Sequence, residues 1–270
     1  MPRFRFLPLL LCALSGLQAA DVKPETAAAF DRYVKLTEDG FAKNQGFENF
    51  LWLDHHPKEK SLVWLQQSIV IPMQTLDQGK AIDVPDGVIQ HWLGAVYLEN
   101  EGADADHLRG LLMNLDGYKD FFKQQIIESK MNKHEGDQYE FFLRFHKKQL
   151  STVVLNVDET AKYTLIDPAR WWVACHSTHI GEAEHPKNKK ELDQERSPED
   201  AAGYLWRLNF YWRVQQSDNG SYVELEVITL AREAGGRISP TRLLTGFQNF
   251  PHELTQYLMD TLQAIFPHHR

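Results

Sequence analysis

Apolar positions step by three or four along residues 24 to 44, where Phe30, Tyr33, Val34, Leu36 and Phe41 interleave with Lys, Glu and Asp. That spacing predicts an amphipathic helix. Phe50-Leu-Trp-Leu53 and Ser68-Ile-Val-Ile71 are short apolar runs of strand type, with a helix-like stretch from Lys58 to Gln67 between them. Gly79 and Pro85-Asp86-Gly87 then mark a boundary. Beyond it, Val88 to Leu98 reads as a strand, and Asp104–Leu115 and Tyr118–Gln125 as two short helices. Five strand-like segments follow at about 126–131, 138–149, 151–163, 170–182 and 202–215, and a sixth spans 221–231. The charged, proline-containing stretch 184–200 reads as a mobile loop. Ser239-Pro240-Thr241 signals a helix start, and Leu243, Leu244, Phe247, Phe250, Leu254, Leu258, Leu262 and Ile265 form one stripe. Pro251 should kink or restart that helix.

This order gives an α+β fold. Strands with a long C-terminal helix lying across them bury both apolar faces. The last hairpin is the most informative part. Asp218-Asn219-Gly220 suits a type I′ turn, which would set Asp218 opposite Ser221; a slip of two residues keeps the same faces. In either register Trp206, Leu208, Phe210 and Trp212 share a face with Leu225, Val227 and Thr229. The other face carries Arg207, Asn209, Tyr211 and Arg213 against Glu224, Glu226 and Ile228. The apolar face should meet the C-terminal helix. The charged one reads as a solvated ladder of cross-strand pairs, turned to water or to the N-terminal segment.

The first residues change the compartment. Arg3 and Arg5, the apolar run Phe6–Leu14 and small residues up to Ala20 have the layout of a cleavable signal peptide. The run is about nine residues, well short of the ~20 that a membrane-spanning helix needs. Residues 1–20 are therefore expected to be a signal peptide, 21–85 an N-terminal extension and 86–270 the main domain, in a periplasmic or secreted protein. Removal of the signal takes Cys12 with it, and Cys175 cannot form an internal disulfide alone. The formal charge is −8 and no basic stripe is visible, which argues against nucleic acid and anionic membrane surfaces, and no later stretch is long and apolar enough for stable membrane insertion.

Chemistry-bearing motifs are scarce. His55 and His56 are adjacent, and His176 and His179 fall on opposite strand faces, so neither pair has metal-ligand spacing. There is no Gly-x-Ser-x-Gly elbow and no phosphate-cradling glycine loop. No catalytic residue, metal or cofactor is assigned. His91, His146, His176 and Asp158 are the groups that acid–base catalysis could draw on.

Val88-Ile-Gln-His-Trp-Leu-Gly-Ala-Val, Thr152-Val-Val-Leu-Asn156, Arg170-Trp171, Gly203-Tyr-Leu-Trp-Arg-Leu-Asn-Phe-Tyr-Trp-Arg213 and Tyr222-Val-Glu-Leu-Glu-Val-Ile-Thr-Leu230 resemble a bacterial exported branch of the START-like (SRPBCC) superfamily. The likeness covers about residues 86–266; Cys175-His-Ser-Thr-His179 departs from the branch's pattern. It implies a helix-grip fold: a curved antiparallel sheet wrapped around a long C-terminal helix, with an N-terminal helical extension. Together with the apolar inner face and the missing catalytic motifs, it points to a non-catalytic carrier or binding protein for an apolar small molecule or lipid. The ligand is expected between Trp206, Leu208, Phe210, Trp212, Leu225 and Val227 on the sheet and Phe247, Phe250, Leu254 and Leu258 on the helix. A cyclase- or dehydrase-type enzyme using the same cavity, and a protein-interaction module with a filled core, are the alternatives.

Overall fold

A computed structural model describes residues 22–65, 68–77, 79–99, 102–148, 151–198, 200–232 and 249–267. Helix α1 (Pro24–Lys43) has Pro24 in its first turn and buries Phe30, Tyr33 and Phe41 of the stripe read from the sequence, while Leu36 is exposed. A single 3₁₀ turn at Trp52–His55 leads into α2 (Pro57–Trp64). Strand β1 (Ile69–Pro72) and the small hairpin β2 (Leu76–Asp77) and β3 (Lys80–Ala81) follow. Asp86 has φ 54°, so the turn at Pro85-Asp86-Gly87 carries the left-handed residue that Asp tolerates. It delivers the chain into β4 (Gly87–Leu98).

Two short helices come next. In α3 (Ala105–Leu112) the Asp104 carboxylate caps the backbone N–H groups of Asp106 and His107; α4 is the single turn Tyr118–Phe121. The remaining strands are β5 (Ile126–Glu135), β6 (Gln138–Lys148), β7 (Thr152–Asp167), β8 (Arg170–Glu182), β9 (Arg207–Ser217) and β10 (Gly220–Arg232). Helix α5 (Phe250–Ile265) closes the fold. Pro251 sits in its first turn, where the missing N–H costs nothing, so proline starts this helix instead of kinking it. Phe247 and the stripe positions Leu243 and Leu244 lie outside the described residues, as do residues 1–21.

Eight strands form one sheet in the order β1-β4-β10-β9-β8-β7-β6-β5, each neighbour antiparallel. Register shifts in the β5–β6 and β7–β8 pairs bend the long strands, and the sheet curves around α5. This is the helix-grip arrangement. The concave side holds the main core: Val96, Leu143, Leu155, Val173, Trp212 and Leu225 pack against Phe250, Leu254, Met259 and Leu262 of α5. Gly94 lets the helix approach, because a Cβ there would lie 2.7 Å from both Met259 Cγ and Thr255 Cγ2. No helix among the described residues is long and apolar enough to cross a membrane.

Three expectations change. The β9–β10 hairpin pairs Ser217 with Gly220, the register slipped by two, and none of Asp218, Asn219 and Gly220 has a positive φ. The turn is therefore not type I′. Glycine is needed at position 220 for space, since a Cβ would fall on the Leu98 carbonyl of β4. The 184–198 stretch is tied down. Leu192 is buried with Val154 and Ala183, and the Asn156 amide donates to the Leu192 carbonyl and to Glu195. His179 and Glu195 meet at 2.8 Å, and Arg144 reaches Asp193. Third, the charged face of the last hairpin turns to the N-terminal segment, the second of its two expected surroundings, and is no solvated ladder. Glu224, Glu226, Arg213, Asn209 and Tyr211 are all buried, because α1 and the 49–55 segment cover them.

Candidate functional site

Strand alternation sorts the candidate residues into two layers. On the concave side, Leu208, Phe210 and Trp212 of β9 and Leu225 and Val227 of β10 join Phe250, Leu254 and Leu258 of α5 in one buried cluster. Trp206 departs from them. It precedes β9, its backbone N–H donates to the Leu230 carbonyl, and it packs on the outer cluster with the Arg232 guanidinium 5.6 Å from its ring. The alternation that would carry it inward starts only at Arg207.

The inner wall is not wholly apolar. Val153, Leu155, Val157 and Ala161 of β7 face the core, and Glu159 shares their parity. Its carboxylate is 1 % exposed, and neither oxygen has a hydrogen-bond partner. It pairs in register with Phe141 and Ser177 where a register shift interrupts β7–β8, one step from the Ala161–Cys175 pair. Burial, with the Asp158 charge behind it, pushes the Glu159 carboxyl well above the usual carboxylate range. Burial likewise pushes the Cys175 thiol up, which leaves a small apolar group and no nucleophile.

The four groups singled out for acid–base chemistry all have the opposite parity. His91 and His176 point at α1, Asp158 is half-buried beside the inward Glu159, and His146 is half-buried and shifted down by burial and by Lys148. Sequence reasoning thus named Asp158 and missed its neighbour. The signal was present in Val153-x-Leu155-x-Val157-x-Glu159-x-Ala161, an inward-facing series with one carboxylate in it.

The outer layer is an ionic network. Arg213 Nη2 contacts Glu224, at 2.8 Å, and Glu226, while Nη1 donates to the Phe50 carbonyl at 3.0 Å. The guanidinium also lies 4.5 Å from the Phe41 ring. Glu224 accepts the backbone N–H groups of Trp52 and Leu53. Glu226 lies 2.8 Å from His91 Nε2, and His91 Nδ1 is 2.7 Å from the Tyr33 hydroxyl. Burial raises both carboxyls and Arg213 lowers both. Glu224 ends above its ordinary range; Glu226, which also meets His91, ends below it. Burial and the Glu226 charge push Tyr33 up to about 12. Farther along α1, Glu38 accepts from Tyr211 at 3.0 Å and sits 2.6 Å from His176 Nε2. Among the described residues, no group of three or more His, Cys, Asp or Glu is placed to hold a metal ion.

No protein-family model matches this sequence, and no curated protein matches it. Solved structures do resemble parts of it. The ZhuI aromatase/cyclase from Streptomyces sp. R1128 is 15% identical over 66% of this chain and 96% of its own, with a TM-score of 0.43. A STAR-related lipid transfer protein fragment from Xanthomonas axonopodis is 14% identical over 68% and 97%, also at 0.43. Human STARD10 is 10% identical over 73% and 69%, again at 0.43. All three scores lie below 0.5, so the helix-grip description rests on the sheet and helix of this chain itself.

Proposed function

We propose that this protein is an exported, periplasmic binding or carrier protein of the START-like type. Its ligand is an apolar small molecule or lipid, held between the sheet and α5. Glu159 carries the proposal. A packed structural core does not keep a carboxyl with both oxygens unpartnered, since an unsatisfied buried polar group costs about 1–3 kcal/mol. A ligand that brings its own polar group removes that cost. In the protonated form, which burial favours, Glu159 donates one hydrogen bond and accepts another, which suits a hydroxyl or carbonyl on an otherwise apolar body. Phe141 pairs with it on β6, and Leu208, Phe210, Leu225 and Val227 continue the apolar inner face across β9 and β10.

The test is native mass spectrometry with lipid extraction on mature protein taken from its own periplasm. A stoichiometric apolar adduct that is absent from a Glu159→Leu variant and retained by Glu159→Gln is the expected result. An empty wild-type protein that also fails to bind apolar probes would overturn the proposal. A second reading has one observation in its favour: a carboxyl on the inner wall whose proton is held more tightly through burial is also what a general acid of a cyclase or dehydrase requires. An extracted species lighter than the molecule supplied by one water would mark that enzyme.

A further inference from the structure

Beside the edge of α1, a shallow basin of about 270 Å³ opens on the outer face of the sheet, with Glu140, Thr160, Lys162 and His176 among the residues lining it. The strand register brings these four together. Glu140 of β6 pairs with Thr160 of β7, and Thr160 with His176 of β8, so the three stand side by side on one face. Their spacing is that of cross-strand neighbours, about 5 Å. Lys162 follows Thr160 on the same face of β7, about 6–7 Å along the strand.

Each of the four has bonding capacity left. His176 is aimed by a relay. The Asn209 amide donates to the Tyr211 hydroxyl at 3.3 Å, that hydroxyl donates to Glu38 at 3.0 Å, and the same Glu38 oxygen lies 2.6 Å from His176 Nε2. A carboxylate takes a donor, so in the neutral ring the proton sits on Nε2 and Nδ1 carries a lone pair. Nδ1 has no partner among the described residues and is not shut off from solvent, on a side chain that is 39% exposed. The Thr160 hydroxyl turns its hydrogen to the His176 carbonyl at 3.4 Å, which leaves its oxygen an acceptor. Glu140 meets Lys133 only at 3.9 Å, and Lys133 leans to Glu135 at 3.2 Å. Lys162 is exposed and has no partner among the described residues.

Three acceptors in a row beside one unmatched cation complement a primary ammonium with an anion a few bonds away. A bare anion would meet Lys162 and face three acceptors, whereas a bare cation would leave Lys162 unmatched. We infer that this basin binds a small zwitterion in which a primary ammonium stands beside a carboxylate, as in an α-amino acid. The ammonium donates its three N–H bonds to Glu140, Thr160 and His176, and the carboxylate accepts from Lys162. Groups this exposed hold a ligand weakly, so the affinity belongs in the millimolar range. The basin lies on the opposite side of the sheet from the interior ligand and does not rest on it.

Nitrogen–proton correlation NMR of the imidazole rings tests the site. The sample is protein starting at Asp21, at a mildly alkaline pH where an ordinary imidazole is neutral. The probes are glycine, acetate, methylammonium and betaine, the last keeping both charges without an N–H. Glycine should shift the His176 ring signals saturably, and the other three should bind at least about fivefold more weakly. Lys162→Met and Glu140→Gln replace exposed side chains, so the backbone amide spectrum should stay in place. Each should weaken glycine binding about fivefold. Absence of a saturable shift with glycine, binding of any other probe as tight as that of glycine, or undiminished glycine binding in either variant would each overturn the site.

Discussion

Glu159 and Arg213 are both buried charge-bearing side chains, and they call for opposite treatment. Glu159 has no partner, so it weakens the empty protein. Its folded pKa lies above the unfolded one, so the native state holds the proton longer than the unfolded chain does. Stability therefore falls as pH rises from the ordinary carboxylate range towards the folded value. Replacing Glu159 by Leu should raise the urea unfolding free energy of ligand-free protein at neutral pH by about 1–3 kcal/mol. It should also flatten the decline in stability above the ordinary carboxylate range. Arg213 is partnered at both Nη1 and Nη2. Arg213→Met strands Glu224 and Glu226 in the dark layer under α1, and a loss of about 3–5 kcal/mol is expected by the same measurement. Adding Glu224→Gln and Glu226→Gln to that variant should recover much of the loss, because the penalty belongs to the abandoned carboxylates.

Elements meet where a residue allows close approach. Helix α5 lies on β4 over Gly94, and a methyl there would press on Thr255 and Met259. Gly94→Ala should cost about 1–3 kcal/mol and lower the thermal midpoint, with no change in the β9–β10 hairpin. Helix α1 is held to the outer face through Glu38. Burial alone would raise the Glu38 carboxyl, yet its bonds with His176 and Tyr211 win and set it below the usual range. The support it gives is thus full above its unfolded value and is lost as pH falls through the folded one. Hydrogen exchange of α1 should accelerate over that acid range, and Glu38→Gln should remove the pH dependence.

The same elements show how far the sequence could be read. The period of two along β9 and β10 places Leu208, Phe210, Trp212, Leu225 and Val227 on one buried face, and the α1 stripe was equally plain. What alternation cannot say is what covers the other face. Arg213 and Glu226 read as solvent partners until the cover from 49–55 is seen, because that contact joins residues far apart in the chain. Leu192 and Glu195 escaped for the same reason: a charged loop looks mobile until Asn156 and His179 are found holding it.

Seen whole, the sheet is a wall with two dressed sides. Every residue of β10 from Gly220 to Ala231 is buried, apolar ones against α5 on one side and the Glu224–Arg213–Glu226 network on the other. A strand covered on both faces depends on both covers. Tyr211, Ile228 and Leu230 pack with Phe30 and Tyr33 of α1, and β1 pairs along the β4 edge. A chain beginning at Asp86 loses the strand, the helix and the two backbone N–H groups that Glu224 accepts. Cys175 reports the result, since it is the one free cysteine among the described residues and lies at the inner face of β8. In protein starting at Asp21 the thiol should resist a thiol-labelling reagent until denaturant unfolds the sheet. In protein starting at Asp86 it should label without denaturant, because an uncovered outer layer of buried charge pulls water against the strands that shield it. Restoration of protection by residues 21–85 added as a separate chain would place the loss in the missing cover, whereas a thiol that stays protected in the shorter protein would show that the inner core holds the sheet unaided.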